Sequence, residues 1–281
     1  MSLVNRRDAL KTVGASVGAL LVAGAAKTAN AAASAQVVAT LNPAKVPGKE
    51  AWKFAPIDPD QVAKDAYDGY KKGHCMNTTF VAIVTNVAKA LKKTDPAAAQ
   101  VLESFPFHMF NYGASGANGN GTLCGSVNGA MAAVNLFVSE EKTLKAILNE
   151  VSIYYERTML PIYKPEGEED EAFPQTISNS VLCHVSSGKW CALAQVQSGS
   201  PERTERCTRL SADIAKKTAE LLNLNVAAFH TSDVAPVVTL KRTQPTSACI
   251  TCHDKGGSVG NIIGKMTCTE CHDDKTPDNH Q

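Results

Sequence analysis

Cys249, Cys252 and His253 stand in the order C-x-x-C-H, and Cys268, Cys271 and His272 repeat it; fifteen residues separate the two cysteine pairs. Two chemistries use such pairs. Four thiolates at this spacing can close on one zinc ion, as in a zinc ribbon, whereas C-x-x-C-H attaches a c-type haem. In haem attachment the two thiols add across the vinyl groups and the adjacent imidazole reaches the iron as proximal ligand. The histidines favour haem. Seven in 281 residues make a given position His roughly one time in forty, so both falling there by chance is on the order of one in a thousand.

The opposite end of the chain bears on the same choice. Adjacent Arg6 and Arg7 precede an apolar, Ala/Val/Leu/Gly-rich run from Thr12 to Ala26, and Ala29-Asn30-Ala31 offers a small-residue cleavage site. That is the layout of a removable signal over residues 1–31, and Asn-Arg-Arg-Asp-Ala-Leu-Lys resembles the twin-arginine type. The run is too short and glycine-rich for a membrane span, and no other stretch approaches about 20 uninterrupted apolar residues. A periplasmic location without stable membrane insertion is expected. Haem c is attached in that compartment, whereas zinc ribbons are mostly intracellular.

Two haems need cover. The tail from 241 to 281 offers little apolar material beyond Ile250, Val259, Ile262, Ile263 and Met266. The haems must therefore bury much of their surface against the rest of the chain or a second subunit. A six-coordinate iron also needs a distal ligand. The remaining histidines are His74, His108, His184, His230 and His280, with Met76, Met109 and Met266 as sulfur alternatives, and their order along the chain does not select among them.

The elements that must position these groups are helical. Residues 32–60 read as an extended, Pro/Ala/Lys-containing lead. Beyond them Val62, Ala66 and Tyr70 recur at four-residue steps, and Phe80, Ile83, Val87 and Leu91 share one stripe. Asp95 before Pro96 opens a further helix. The glycine-rich "NYGASGANGNG" lacks the Lys-Ser/Thr ending of a phosphate loop; it reads as a turn that lets backbone approach a cofactor closely. It leads into a small-residue helix near Cys124. Leu144, Leu148, Val151 and Tyr155 mark an amphipathic helix, and the segment after Ser200 marks another. A β-like signal is confined to "QTISNSVLCHVSS". The expected fold is mainly α: a single helical domain over 61–240, then a dihaem-binding tail over 241–281 with little regular structure. A net charge of +1 argues against a nucleic-acid surface. Glu168 and Glu169 read as a solvated charge run, and no Ser/His/Asp ordering points to nucleophilic catalysis.

Five cysteines remain in the body: Cys75, Cys124, Cys183, Cys191 and Cys207. An odd number cannot all pair. One reading is two disulfides plus a thiol, or inert buried thiols. The other is an iron–sulfur site. Cys124 stands at a helix N-terminus, where a thiolate is favoured, and Cys207 reads as opening a helix. Thiolates gathered from loops and helix starts suit a cluster.

"GHCMNTTFVAI", "GTLCGSVNGAMAAV", "VLCHVSSGKWCALA" and "RCTRLSADIAKKTAELLN" together resemble the C_GCAxxG_C_C redox proteins. With two C-x-x-C-H motifs behind them, the chain resembles the split-Soret cytochromes c, from about Asp65 to His272. The most specific element is Cys124 to Gly129; Ser126 stands where the family's name suggests that Cys can occur. The resemblance implies an electron carrier rather than an enzyme. It implies a homodimer with two haem c groups per subunit, close and near-parallel, bis-histidine irons, and one axial histidine from the partner. It also implies a [2Fe–2S]-type centre whose ligands here would be Cys75, Cys124, Cys191 and Cys207, with Cys183 as substitute. For the distal haem positions it points to His108 and His184 first, then His74 and His230. Twin-arginine export would carry such a centre out inside a folded body, to meet a periplasmic redox partner. The competing expectation is a haem enzyme, with one iron left open to a small molecule such as nitric oxide or peroxide.

Overall fold

The computed structural model describes residues 51–168, 172–227, 235–240, 244–254, 256–262 and 264–272, all in a compact unit spanning 49–281. The expected signal segment 1–31, most of the lead, Glu169, His230 and His280 lie outside the described residues.

Helix α1, Pro59–Leu91, is the hub. Asp58 caps it by accepting from the Asp60 and Gln61 N–H groups, and Pro59 supplies a preset first turn. The two helical runs expected around residue 74 form one element, broken at His74 (φ 59°, ψ −171°). Next come α2 (Pro96–Glu103), capped by Asp95 on the Ala98 N–H, and a 3-10 segment, Phe107–Gly113. They are followed by α3 (Gly125–Phe137), α4 (Glu141–Arg157), α5 (Cys183–Ala194) and α6 (Pro201–Leu222). α1 packs on α6, α3, α2 and the 3-10 segment. Its stripe of Phe80, Ile83, Val87 and Leu91 is buried, and Phe80 meets Phe105, Phe107 and Phe110. Each such side chain contributes about 1.5–3 kcal/mol by leaving water.

The fold is mainly α, as the periodicity predicts. Among the described residues, β pairing is limited to the isolated bridges Leu123–Leu182 and Leu160–Thr176. The β-like stretch therefore supplies only single bridges before entering α5. Tail residues Gln244–His253 form helix α7, and Cys268–Glu270 form one 3-10 turn. Glu168 departs from its solvated expectation: its carboxylate meets the buried Arg209 guanidinium.

Two glycines explain how closely α3 approaches α1. Gly125 and Gly129 lie one turn apart on the same face. A Cβ on Gly129 would stand 2.3 Å from the Met76 carbonyl oxygen, and one on Gly125 would stand 2.4 Å from Cys75 Sγ. Only hydrogen fits there. This contact lies beside the break in α1, where a cysteine begins the second half of that helix.

Candidate functional site: a thiol pocket and two C-x-x-C-H segments

Four of the five body cysteines line one buried pocket: Cys75, Cys124, Cys183 and Cys207, together with Tyr70, Ser115, Ser126, Arg203, Arg206 and Leu210. Three reach it from helix starts. Cys75 follows the His74 break, Cys124 is the N-cap of α3, and Cys183 is the first residue of α5. Cys207 lies inside α6, two turns beyond its start rather than opening it. The positive ends of three helices thus bear on one pocket, an arrangement that favours negative charge on sulfur.

The glycine loop holds two of these starts in place. The Cys124 N–H donates to the Val181 carbonyl at 2.9 Å, and the Cys183 N–H donates to the Thr122 carbonyl at 2.7 Å. The close approach expected of this loop is made to protein: a Cβ on Gly116 would lie 2.9 Å from Cys183 Cβ, and one on Gly121 would lie 2.9 Å from His184 Cβ. Cys191, on the next turns of α5, is buried but does not line the pocket. The geometry therefore puts Cys183 with the other three, where the family resemblance had ranked Cys191 ahead of it.

Electrostatics mark the pocket as well. Burial, then the neighbouring Cys124 and Cys207, push the Cys75 thiol up to about 12. Burial and the other pocket cysteines do the same to Cys183. Two cations stand beside Cys207. Nη1 of Arg203 and Nη1 of Arg206 each lie 3.8 Å from Cys207 Sγ. Arg206 is 2% exposed, and its Nη2 donates to Ser186 Oγ at 2.6 Å. The arginines escaped the reading of the sequence, although Arg203 and Cys207 stand at the i,i+4 spacing that makes helix neighbours. Tyr70 and Tyr155 were missed too; they are buried beside the pocket thiols.

No two of the nine cysteines are joined in a disulfide. Among the described residues, no group of three or more His, Cys, Asp or Glu side chains is close enough to hold a metal ion. The void between the pocket thiols is about 10 Å³, room for about one water. The donor set, thiols beside two cations, fits an iron centre by its chemistry. The side chains would have to turn outward to admit a cluster, and metal binding would displace the protons that burial retains.

In the tail, Cys249, Cys252 and His253 stand at i, i+3 and i+4 at the end of α7, so both thiols and the imidazole share one helix face. That fits haem attachment. His253 Nδ1 is 2.9 Å from Asn261 Oδ1. An amide oxygen only accepts, so Nδ1 carries the proton and Nε2 is the basic nitrogen. The second segment, Cys268 to His272, turns at Cys268–Glu270, with the His272 N–H donating to the Cys268 carbonyl at 3.1 Å. Burial and the adjacent Cys249 raise the Cys268 thiol, so the first cysteines of the two segments are neighbours. The tail is tied to the body by Arg157 to Thr267 Oγ1 (2.7 Å), Lys189 to Glu270 (2.5 Å) and Lys265 to Asn149 (3.2 Å). At its root, the buried Glu150 accepts from Thr239 N–H and Oγ1, both at 2.8 Å, and pairs with Lys217.

Among the distal-ligand candidates, His74, His108 and His184 are exposed. His184 Nδ1 faces the Gly121 carbonyl at 2.8 Å, which fixes the tautomer and leaves Nε2 basic, as in metal-ligating histidines. Among the described residues, no helix is long and apolar enough to cross a membrane.

A helical body, a cation-flanked pocket of four thiols and two C-x-x-C-H segments define a cysteine-rich redox protein. The family described as "Putative redox-active protein (C_GCAxxG_C_C)" matches residues 74–221, and the chain belongs to it. The split-Soret cytochrome c of Desulfovibrio desulfuricans (strain ATCC 27774 / DSM 6949 / MB) is 34% identical over 277 residues, 96% of this chain and 94% of that protein. A solved structure, "A novel iron centre in the split-Soret cytochrome c from Desulfovibrio desulfuricans ATCC 27774", superposes with a TM-score of 0.68 at 33% identity. That match covers 82% of this chain and 93% of the other. The role of the chain is redox chemistry and electron transfer.

Proposed function

We propose that the chain is a periplasmic dihaem c-type cytochrome whose body holds an iron–sulfur centre, and that it passes electrons between centre, haems and a partner protein. The observation that carries the reading is the convergence of Cys75, Cys124, Cys183 and Cys207 from four separate segments onto one pocket with two arginines. The solved relative, whose reported iron centre is described above, supports it. Haem would attach at Cys249/Cys252 and Cys268/Cys271, with His253 and His272 as proximal ligands. The contact between Cys249 and Cys268 favours haems that lie close together. His184 is the preferred distal ligand on geometry; His108, His74 and His230 stand behind it. Val259, Ile262 and Met266 are exposed around the attachment segments, which supports cover by a second subunit and hence a homodimer. Export by the twin-arginine route completes the reading.

The test is a purification of the mature chain from a host that attaches haem c, with a reduced visible spectrum and separate counts of haem and non-haem iron. Two covalent haems plus about two further irons per chain are expected. A colourless, zinc-loaded protein would overturn the reading. Carbon monoxide binding to the reduced native protein would favour the haem enzyme over the carrier.

A further inference from the structure

Two arginines one turn apart on α6 are both buried, and they are treated differently. Arg209, with 3% of its side chain exposed, is matched by the carboxylates of Glu205 and Glu168 and lies over the Phe173 ring at 4.2 Å. Arg206, 2% exposed, has no carboxylate within ion-pair distance among the described residues. Its hydrogen-bond partners are Ser186 Oγ and Cys207 Sγ, and its buried Nε–H has no acceptor. A guanidinium stays protonated at any ordinary pH, and a buried charge needs an opposite one. The space it lines is the thiol pocket. We infer that Arg206 supplies the positive charge that balances a net-negative iron–thiolate centre in this pocket, and that it thereby sets the centre's reduction potential. Arg203, half-buried and equally near Cys207, supplies a second and better-solvated share.

This inference rests on the iron centre proposed above. Reduction adds one negative charge beside Arg206, so the guanidinium stabilises the reduced state more than the oxidised one. The test is a redox titration of the non-haem iron signal in the holoprotein, comparing wild type with Arg206→Met, Arg206→Lys and Arg203→Met, together with iron counts. Arg206→Met should weaken reduction at least tenfold, a fall of about 59 mV for a one-electron couple. Arg206→Lys should stay within about threefold of wild type, and Arg203→Met should move the potential the same way by less. Iron lost from Arg206→Met but kept by Arg206→Lys also supports the charge role. Iron lost from both, with Arg203→Met unshifted, would show that Arg206 only packs and would overturn the inference. So would an unchanged potential in an iron-loaded Arg206→Met. A wild type without non-haem iron would bring down the iron-centre reading and this inference with it.

Discussion

The thiol pocket and the tail place sulfur in opposite ways. The pocket gathers Cys75, Cys124, Cys183 and Cys207 from four elements, across nearly half of the chain, and holds them among α1, α3, α5 and α6, with Cys183 half-buried and the other three buried. Each tail segment carries two thiols and an imidazole within five contiguous residues, largely exposed and tied down by a few polar contacts. The first arrangement exists only when the whole body is folded. The second is written into local sequence and needs little from the fold beyond access. Damage to the body should therefore remove the pocket's chemistry and spare haem attachment.

The strongest break in that contrast is Gly129→Val. Its branched side chain would drive into the Met76 carbonyl oxygen, costing about 3 kcal/mol or more. Non-haem iron should vanish while two covalent haems per chain remain, counted on the same sample; loss of both would show that the tail depends on the body. Next are the cysteines. Cys75→Ser and Cys183→Ser should each abolish the non-haem iron signal, whereas Cys191→Ser should keep it, because Cys191 stands outside the pocket. A Cys191→Ser protein without iron, beside an iron-loaded Cys183→Ser, would reverse the ligand choice made here.

Smaller effects probe how the body is held. Asp213 on α6 accepts from the Ile162 and Tyr163 N–H groups, both at 2.8 Å. Asp213→Ala removes both acceptors from two donors and should cost about 1–3 kcal/mol in denaturant unfolding. Burial pushes the Asp213 carboxyl up to about 7 from its ordinary 3.8, against the pull of those two donors. The folded chain thus holds this proton more tightly than the unfolded one, and the group's contribution to stability grows as pH falls from about 7 towards about 4. The stability lost in Asp213→Ala should therefore be greater at about pH 5 than at about pH 8. Least of all, Lys189→Ala removes the partly exposed pair with Glu270. It should cost at most about 1 kcal/mol and leave both haems attached.

How much of this was legible beforehand follows the same division. The C-x-x-C-H segments could be read outright as motifs, because every donor sits in one short string. The helices could be read from their stripes. The break at His74 could not: helical periodicity runs on both sides of it, and that pattern does not say whether the two runs join or at which residue φ turns positive. Cys183 and Cys191 share α5, and spacing gave no reason to separate them. What separates them is the glycine loop, which fixes the first turn of α5 through the Thr122 and Gly121 carbonyls. The charge on Arg206 looked like any surface arginine until its burial beside the pocket thiols, with no carboxylate paired to it among the described residues, was in view.

The spread of the pocket's thiols also has a consequence in time. Cys207 is the last of them, and Cys249, the first thiol of the C-x-x-C-H segments, follows 42 residues later. A ribosome adding about 5–20 residues per second makes that interval in roughly 2–8 s, while helices form within about a microsecond. The chain is thus laid out so that all four pocket thiols, and the helices that carry them, are synthesised before either C-x-x-C-H segment.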